Sequence, residues 1–261
     1  MQLKAAHQAR FIVASKVGGQ FVILSFHFAG TLRAKLRSGL IRHRNTGVVV
    51  AASALTVMLT LHLLAPVAVP NLAQPVNATR ALDLAQSWSK GDVIALVRHA
   101  ERCDRSSKPC LGPLDGITER AARTAHIVGA DFKQLGLNNV DIYSSQMTRT
   151  RQTAKAMFTR PVATQDWLFD CRGSMLHDAL KHKVAGRNLV LITHSECMDA
   201  LVSDLHAATN TSFGYATALF INAEGAQGGP QMLGYIEPEH WSKVIPLAGT
   251  PSRYAIEAAQ F

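Results

Sequence analysis

Arginine and histidine recur at one kind of place in this 261-residue chain, the end of a short apolar run. Asp92–Val97 leads into Arg98 and His99. Val140–Tyr143 leads into Ser144 and Ser145, with Arg149 four residues on. Leu189–Ile192 leads into Thr193 and His194. The planar guanidinium is permanently charged and matches the geometry of phosphate oxygens, and an imidazole changes charge near neutral pH. One Arg-His pair alone reads as an ordinary surface pair. Two guanidinium groups and two imidazoles at three successive strand ends, close to helix N-termini, instead predict an anion site with phosphate as its occupant. No carboxylate-rich ligand set accompanies them, so neither a metal nor another cofactor is expected.

Elements must bring those ends together. The three runs are short, continuous and rich in Val, Ile and Leu, which predicts strands buried on both faces. Helical patterns alternate with them: Thr118–Gly129, Thr148–Phe158 and Glu196–Leu205, the last with Met198, Leu201, Val202 and Leu205 at helical spacing. Ala216–Asn222 and Gln231–Ile236 flank a Gly-rich stretch and predict a closing hairpin. The expected class is α/β, three-layer αβα with a mostly parallel mixed sheet. In such sheets ligands bind beyond the carboxyl ends of the strands, where the four cationic residues fall.

Charge is distributed unevenly. The chain carries 27 Lys+Arg against 18 Asp+Glu, a formal net charge of +9. Residues 1–80 hold nine basic residues and no acid, whereas 81–261 hold 18 of each sign. The later part is neutral overall, which argues against nucleic acid as a partner. Gly47 to Ala65 is apolar apart from Ser53, Thr56, Thr60 and His62, and as a helix would measure about 28 Å, near the thickness of a hydrocarbon core. Arg33, Lys35, Arg37, Arg42 and Arg44 precede it, so the positive-inside rule keeps 1–46 cytoplasmic and exports the remainder of the chain. The expected organisation is a basic leader over 1–46, a signal anchor or transmembrane helix over 47–65 in the inner membrane, a Pro- and Asn-bearing linker over 66–80 and a domain over 81–261.

All four cysteines, Cys103, Cys110, Cys171 and Cys197, lie beyond the apolar segment, as disulfides in an exported domain would. Three connectivities are open. The preferred one joins Cys103 to Cys110 across a short loop and Cys171 to Cys197. A zinc site is disfavoured, because the chain has no CxxC pair and no histidine at ligand spacing.

Leu96-Val-Arg98-His99-Ala100-Glu101, Ser145-x-x-x-Arg149-Thr-x-Gln152-Thr153-Ala154 and Thr193-His194-Ser195 together resemble the histidine phosphatase superfamily, with Ala100 where the family's first motif has glycine. The stretch Arg98 to Ser106, the four cysteines, Gly116-Ile-Thr118 and Asp141-x-Tyr-Ser-Ser145 are similar to the exported lipopolysaccharide-core heptose(II)-phosphate phosphatase family (Ais). The resemblance implies a phosphoglycerate mutase-like fold and a periplasmic phosphatase whose partner is a phosphorylated sugar of the lipopolysaccharide core. It further implies that His99 is the nucleophile, carrying the phosphoryl group as phosphohistidine, and that Arg98, Arg149 and His194 hold its oxygens. A general acid must protonate the leaving alkoxide. Asp170 falls near the position of the family's catalytic glutamate; Glu101, close behind His99, and Glu196, after His194, are the alternatives. Arg105 stands where many relatives place a phosphate-lining asparagine, a departure that favours a more anionic substrate.

Overall fold

The computed structural model describes residues 12–17, 20–25, 39–64, 67–208, 212–225 and 228–248. The chain divides after Leu64 into two compact units. In the first, β1 (Ile12–Val17) and β2 (Gln20–Ser25) pair antiparallel, and α1 covers Gly39–Leu64. Much of the expected basic leader, residues 1–11, 18–19 and 26–38, lies outside the described residues. On α1 the apolar side chains Val48, Val49, Val50, Leu55, Val57, Met58 and Leu59 are exposed. Among the described residues no helix is long and apolar enough to cross a membrane.

The second unit runs β3 (Val67–Ala68), α2 (Ala78–Lys90), β4 (Val93–Arg98), α3 (Glu119–Leu135), β5 (Val140–Ser144), α4 (Thr148–Phe158), β6 (Ala163–Thr164), α5 (Met175–His182), β7 (Asn188–Thr193), α6 (Ser195–Asp204), β8 (Ala207–Ala208), β9 (Ala218–Asn222), β10 (Gln231–Ile236) and α7 (Trp241–Ala248). A six-stranded sheet has the order β10-β9-β4-β7-β5-β6. Strands β4, β7, β5 and β6 are parallel, and the β9–β10 hairpin adds antiparallel to β4. The mixed sheet and three layers agree with the sequence pattern.

Alternation along β4 shows why there are three layers. Val93, Ala95 and Val97 pack with Leu84 and Trp88 of α2, Phe132 of α3 and Trp241 of α7. Ile94 and Leu96 face the opposite way, onto Met175 and Ala179 of α5 and Met198 and Leu201 of α6. Strand side chains alternate faces, so a wholly apolar run must be covered on both. Two glycines permit the close approaches this needs. Gly91, left-handed at φ 80°, ends α2, and a Cβ there would meet Gly186 C at 2.2 Å. A Cβ on Gly129 of α3 would lie 2.0 Å from the Met157 carbonyl oxygen of α4.

The expected linker over 66–80 differs from what is observed. β3 pairs with β8, Leu72 N–H donates to Tyr235 O at 2.9 Å, and Leu72 is buried. The polar residues that suggest a linker are turn formers here: Asn71 Oδ1 accepts from Ala73 N–H and Asn77 Nδ2 donates to Asn71 O. Side chains that satisfy local backbone let a Pro- and Asn-rich strap lie against a core instead of in water.

Candidate active site

Parallel register sets the site. Arg98 of β4 stands opposite Thr193 of β7, and Ser144 of β5 opposite Ile192. Beyond the strand ends the pairing continues, with His99 N–H donating to Thr193 O and Ser145 N–H to Ile192 O, each at 2.9 Å. His99, Ser145 and His194 therefore emerge side by side. Arg149 joins them from the first turn of α4, and His194 is the residue immediately before α6.

Each histidine has a defined tautomer. His99 Nδ1 lies 2.9 Å from the Ala100 carbonyl oxygen. A carbonyl only accepts, so Nδ1 carries the proton and Nε2 keeps its lone pair. His194 Nδ1 lies 3.3 Å from Arg149 Nη2, which only donates; the ring proton is therefore on Nε2, given to Ser145 Oγ at 3.0 Å. The two rings are 5.4 Å apart. Both residues are 4% exposed. Burial pushes the His99 pKa down to about 3, helped by His194, Arg149 and Arg98 and opposed by the Ala100 contact. Burial, then Arg149, pushes His194 down to about 4. His99 is thus a neutral imidazole with an available lone pair, the state a nucleophile needs.

The Arg98 guanidinium and the backbone of Arg149 are held from behind. Arg98 Nη1 donates to Phe213 O, and Thr153 Oγ1 donates to Arg149 O at 2.7 Å while accepting from Ala100 N–H at 2.9 Å. Thr153 so ties α4 to the peptide after His99. Arg98 Nε and Arg149 Nε are buried and have no acceptor among the described residues. Buried donors without partners are uncommon, and the oxygens of a tetrahedral oxyanion are their natural acceptors.

The other predicted site residues separate into rim and support. The Glu101 carboxylate pairs with Arg120 and accepts from Thr118 Oγ1 at 2.9 Å, anchoring the start of α3. Arg120 first, and then Thr118, hold its pKa down at about 2. Such a group carries no proton to donate at neutral pH. Asp170 is exposed, beside Phe169, whose ring lies 5.8 Å from His194. Glu196 sits in the first turn of α6, where its own backbone N–H and the Ser195 hydroxyl, then His194 and Arg98, lower its pKa. Arg105 is exposed and makes no hydrogen bond or ion pair among the described residues. Arg102, by contrast, pairs with Asp104, and its charge acts on Arg98, Arg149 and His194. Both preferred disulfides are present, Cys103–Cys110 and Cys171–Cys197. The second pins the Phe169–Asp170 segment to α6, close behind His194.

Two contributors lie outside the set that the sequence predicts. Tyr215, on the segment before β9, places its ring 4.2 Å from Arg98 Cζ and 5.7 Å from the His99 ring. Asp199 comes one helical turn after Glu196; desolvation, then Glu196, raises its pKa, and Arg98 opposes the rise. The spacing of Asp199 from Glu196 is visible in the sequence as two acids on one helical face, whereas nothing there marks Tyr215.

Residues 94–168 match the model of the histidine phosphatase superfamily (branch 1). The chain is 34% identical over 129 residues to the lipopolysaccharide core heptose(II)-phosphate phosphatase of Escherichia coli O9:H4 (strain HS). That alignment covers 48% of this chain and 64% of the relative. Among solved structures, the protein histidine phosphatase SixA complexed with tungstate aligns with a TM-score of 0.44 at 15% identity, over 56% of this chain and 97% of that one. The phosphoserine phosphatase of Entamoeba histolytica with 3-phosphoglyceric acid aligns at a TM-score of 0.44 and 13% identity, over 57% and 98%.

Proposed function

We propose that this protein, whose residues 94–168 match the histidine phosphatase superfamily, hydrolyses phosphomonoesters through a phosphohistidine on His99. One observation carries the reading: a neutral imidazole with a free Nε2 lone pair accompanies two part-buried guanidinium groups whose buried Nε donors have no acceptor among the described residues. In the first step His99 Nε2 forms a bond to phosphorus as the ester P–O bond breaks, and the leaving alkoxide takes up a proton. In the second, water adds to phosphorus and the P–N bond breaks, releasing inorganic phosphate and the neutral ring. Arg98 and Arg149 stabilise charge on the equatorial oxygens throughout, which is the electrostatic work phosphoryl transfer requires. His194 orients Arg149 through its Nδ1 acceptor. The proton comes from the exposed rim carboxyl of Asp170, because Glu101 is committed to Arg120 and Glu196 is likewise held in its ionised form by its backbone N–H and Ser195.

The similarity to heptose(II)-phosphate phosphatases supports a phosphorylated sugar of the lipopolysaccharide core as substrate. Two disulfides and the basic residues ahead of the apolar 47–65 segment support an exported, periplasmic domain. The exposed apolar side chains of α1 are suited to lipid.

The test is hydrolysis of an aryl phosphate in the presence of a chelator, with alkaline quenching to trap phosphohistidine. Wild-type protein is expected to turn over and label at residue 99, and His99→Ala to do neither. Phosphate binding without turnover or label would convert the reading to an anion-binding module. Mass analysis of lipopolysaccharide core with and without the protein tests the substrate, and reporter fusions after residue 80 test the compartment.

A further inference from the structure

One segment, residues 213–217, grips the Arg98-His99 dipeptide from the side opposite β7. The Phe213 carbonyl accepts from Arg98 Nη1, the Thr217 carbonyl accepts from Arg98 N–H at 3.0 Å, and Ala216 N–H donates to His99 O at 3.4 Å. The Tyr215 ring lies over the guanidinium, 4.2 Å from Cζ, and meets the His99 ring at 5.7 Å. Thr217 N–H closes the turn onto Gly214 O at 3.3 Å. The turn passes through Ala216 at φ 58°, a left-handed conformation that alanine adopts only at a cost, and Ala216 is 1% exposed. A glycine there would be unstrained; the observed alanine narrows the conformations open to the residue beside it.

We propose that Tyr215 is a positioning residue of the phosphate site, whose ring face holds the Arg98 guanidinium in register with His99. The proposal rests on the reading of this site as phosphate-binding. A partly desolvated guanidinium has many rotamers, and one hydrogen bond to Phe213 O leaves its plane free to swing. Attraction between the cation and the electron-rich ring face removes that freedom, leaving the buried Nε in place for a phosphate oxygen. The contribution belongs to the ring face; the hydroxyl takes no part in it.

Inorganic phosphate binding to the full-length protein, measured by titration calorimetry, tests this without depending on turnover. Tyr215→Phe is expected to bind within about twofold of wild type, since both faces attract cations. Tyr215→Leu is expected to weaken binding by about three- to thirtyfold. Replacing Tyr215 by pentafluorophenylalanine keeps the shape but reverses the ring's charge pattern, and should weaken binding as leucine does. This variant stands in should the leucine protein fail to fold. In an Arg98→Ala background the same replacements should cost nothing further, because the partner is gone. Unchanged binding in the fluorinated variant overturns the proposal. So does equal loss with and without Arg98, which indicates a structural role, and so does a phenylalanine variant as weak as leucine, which assigns the effect to the hydroxyl. Aryl phosphate turnover measured alongside separates the two ideas. Phosphate binding without wild-type turnover sinks the phosphatase reading alone. Turnover with phosphate affinity indifferent to position 215 sinks only the role of Tyr215.

Discussion

Lowering the pH is the most direct probe of the electrostatic design around His99. An unperturbed imidazole titrates near 6.5, so at pH 5 only about 3% would be neutral and a nucleophile's rate would fall about thirtyfold. In this site burial and the neighbouring Arg149 and Arg98 charges bring the His99 pKa to about 3. A depression of that size is a preference for the neutral ring on the order of 5 kcal/mol. At pH 5 about 99% of the rings would remain neutral, and the thirtyfold loss should not occur. The assay is the pH titration of the His99 and His194 ring resonances by NMR, assigned with His99→Gln and His194→Gln variants. It is paired with kcat/KM for an aryl phosphate from pH 4 to 8, corrected for the substrate's own second ionisation. Neither ring should titrate above pH 5. A midpoint near 6.5 for His99 would refute the argument that burial among fixed cations keeps the nucleophile neutral. Stability has the same sign. Below pH 6.5 the unfolded chain binds protons that the folded site refuses, so stability is fully present above 6.5 and is lost as pH falls towards about 3. Phosphate should move both midpoints upward, because an anion favours the charged rings.

Three further outcomes rest on particular contacts. Glu101→Gln should retain aryl and alkyl phosphate turnover within a few fold, against the roughly 10²-fold or greater loss typical when a general acid is removed; a large selective loss on alkyl phosphates would restore Glu101 as the acid. Removing the Cys171–Cys197 bridge by a double alanine substitution frees a loop of sequence separation 26 and should cost about 3–4 kcal/mol in urea unfolding. That variant should also lose phosphatase activity before it unfolds, since the bridge holds the Phe169 segment against α6. Gly129→Ala forces a Cβ to within 2.0 Å of Met157 O, so α3 and α4 must move apart, and calorimetric unfolding should show a loss of about 1–3 kcal/mol.

The candidate site residues His99, Arg98, Arg149 and His194 were legible because their signals are local. Arg98, Arg149 and His194 each terminate a strand or begin a helix, and a continuous apolar run states both its element and its burial. The same logic recovered helix α4 and strand β10 to the residue, while β9 starts at Ala218 rather than Ala216. Over 66–80, polar and proline content points to solvent exposure, and the fold differs. Asn71 and Asn77 spend their amides on nearby backbone instead, and Leu72 goes inside.

Residue types at strand ends, counted along one dimension, predict an anion site, and the family resemblance points to His99 at its head. Parallel register determined that those ends meet, and register is set by packing on both faces of the sheet. Only the folded chain decided the state of each member. It put the lone pair on His99 Nε2, withdrew Glu101 to Arg120, left Arg105 exposed while the charge of Arg102 reached the site, and laid Tyr215 across Arg98. Protonation and orientation depend on burial and on partners distant in sequence, Ala100 aside. A linear pattern can place a cation at a site, and the surrounding dielectric and hydrogen bonds decide what that cation does there.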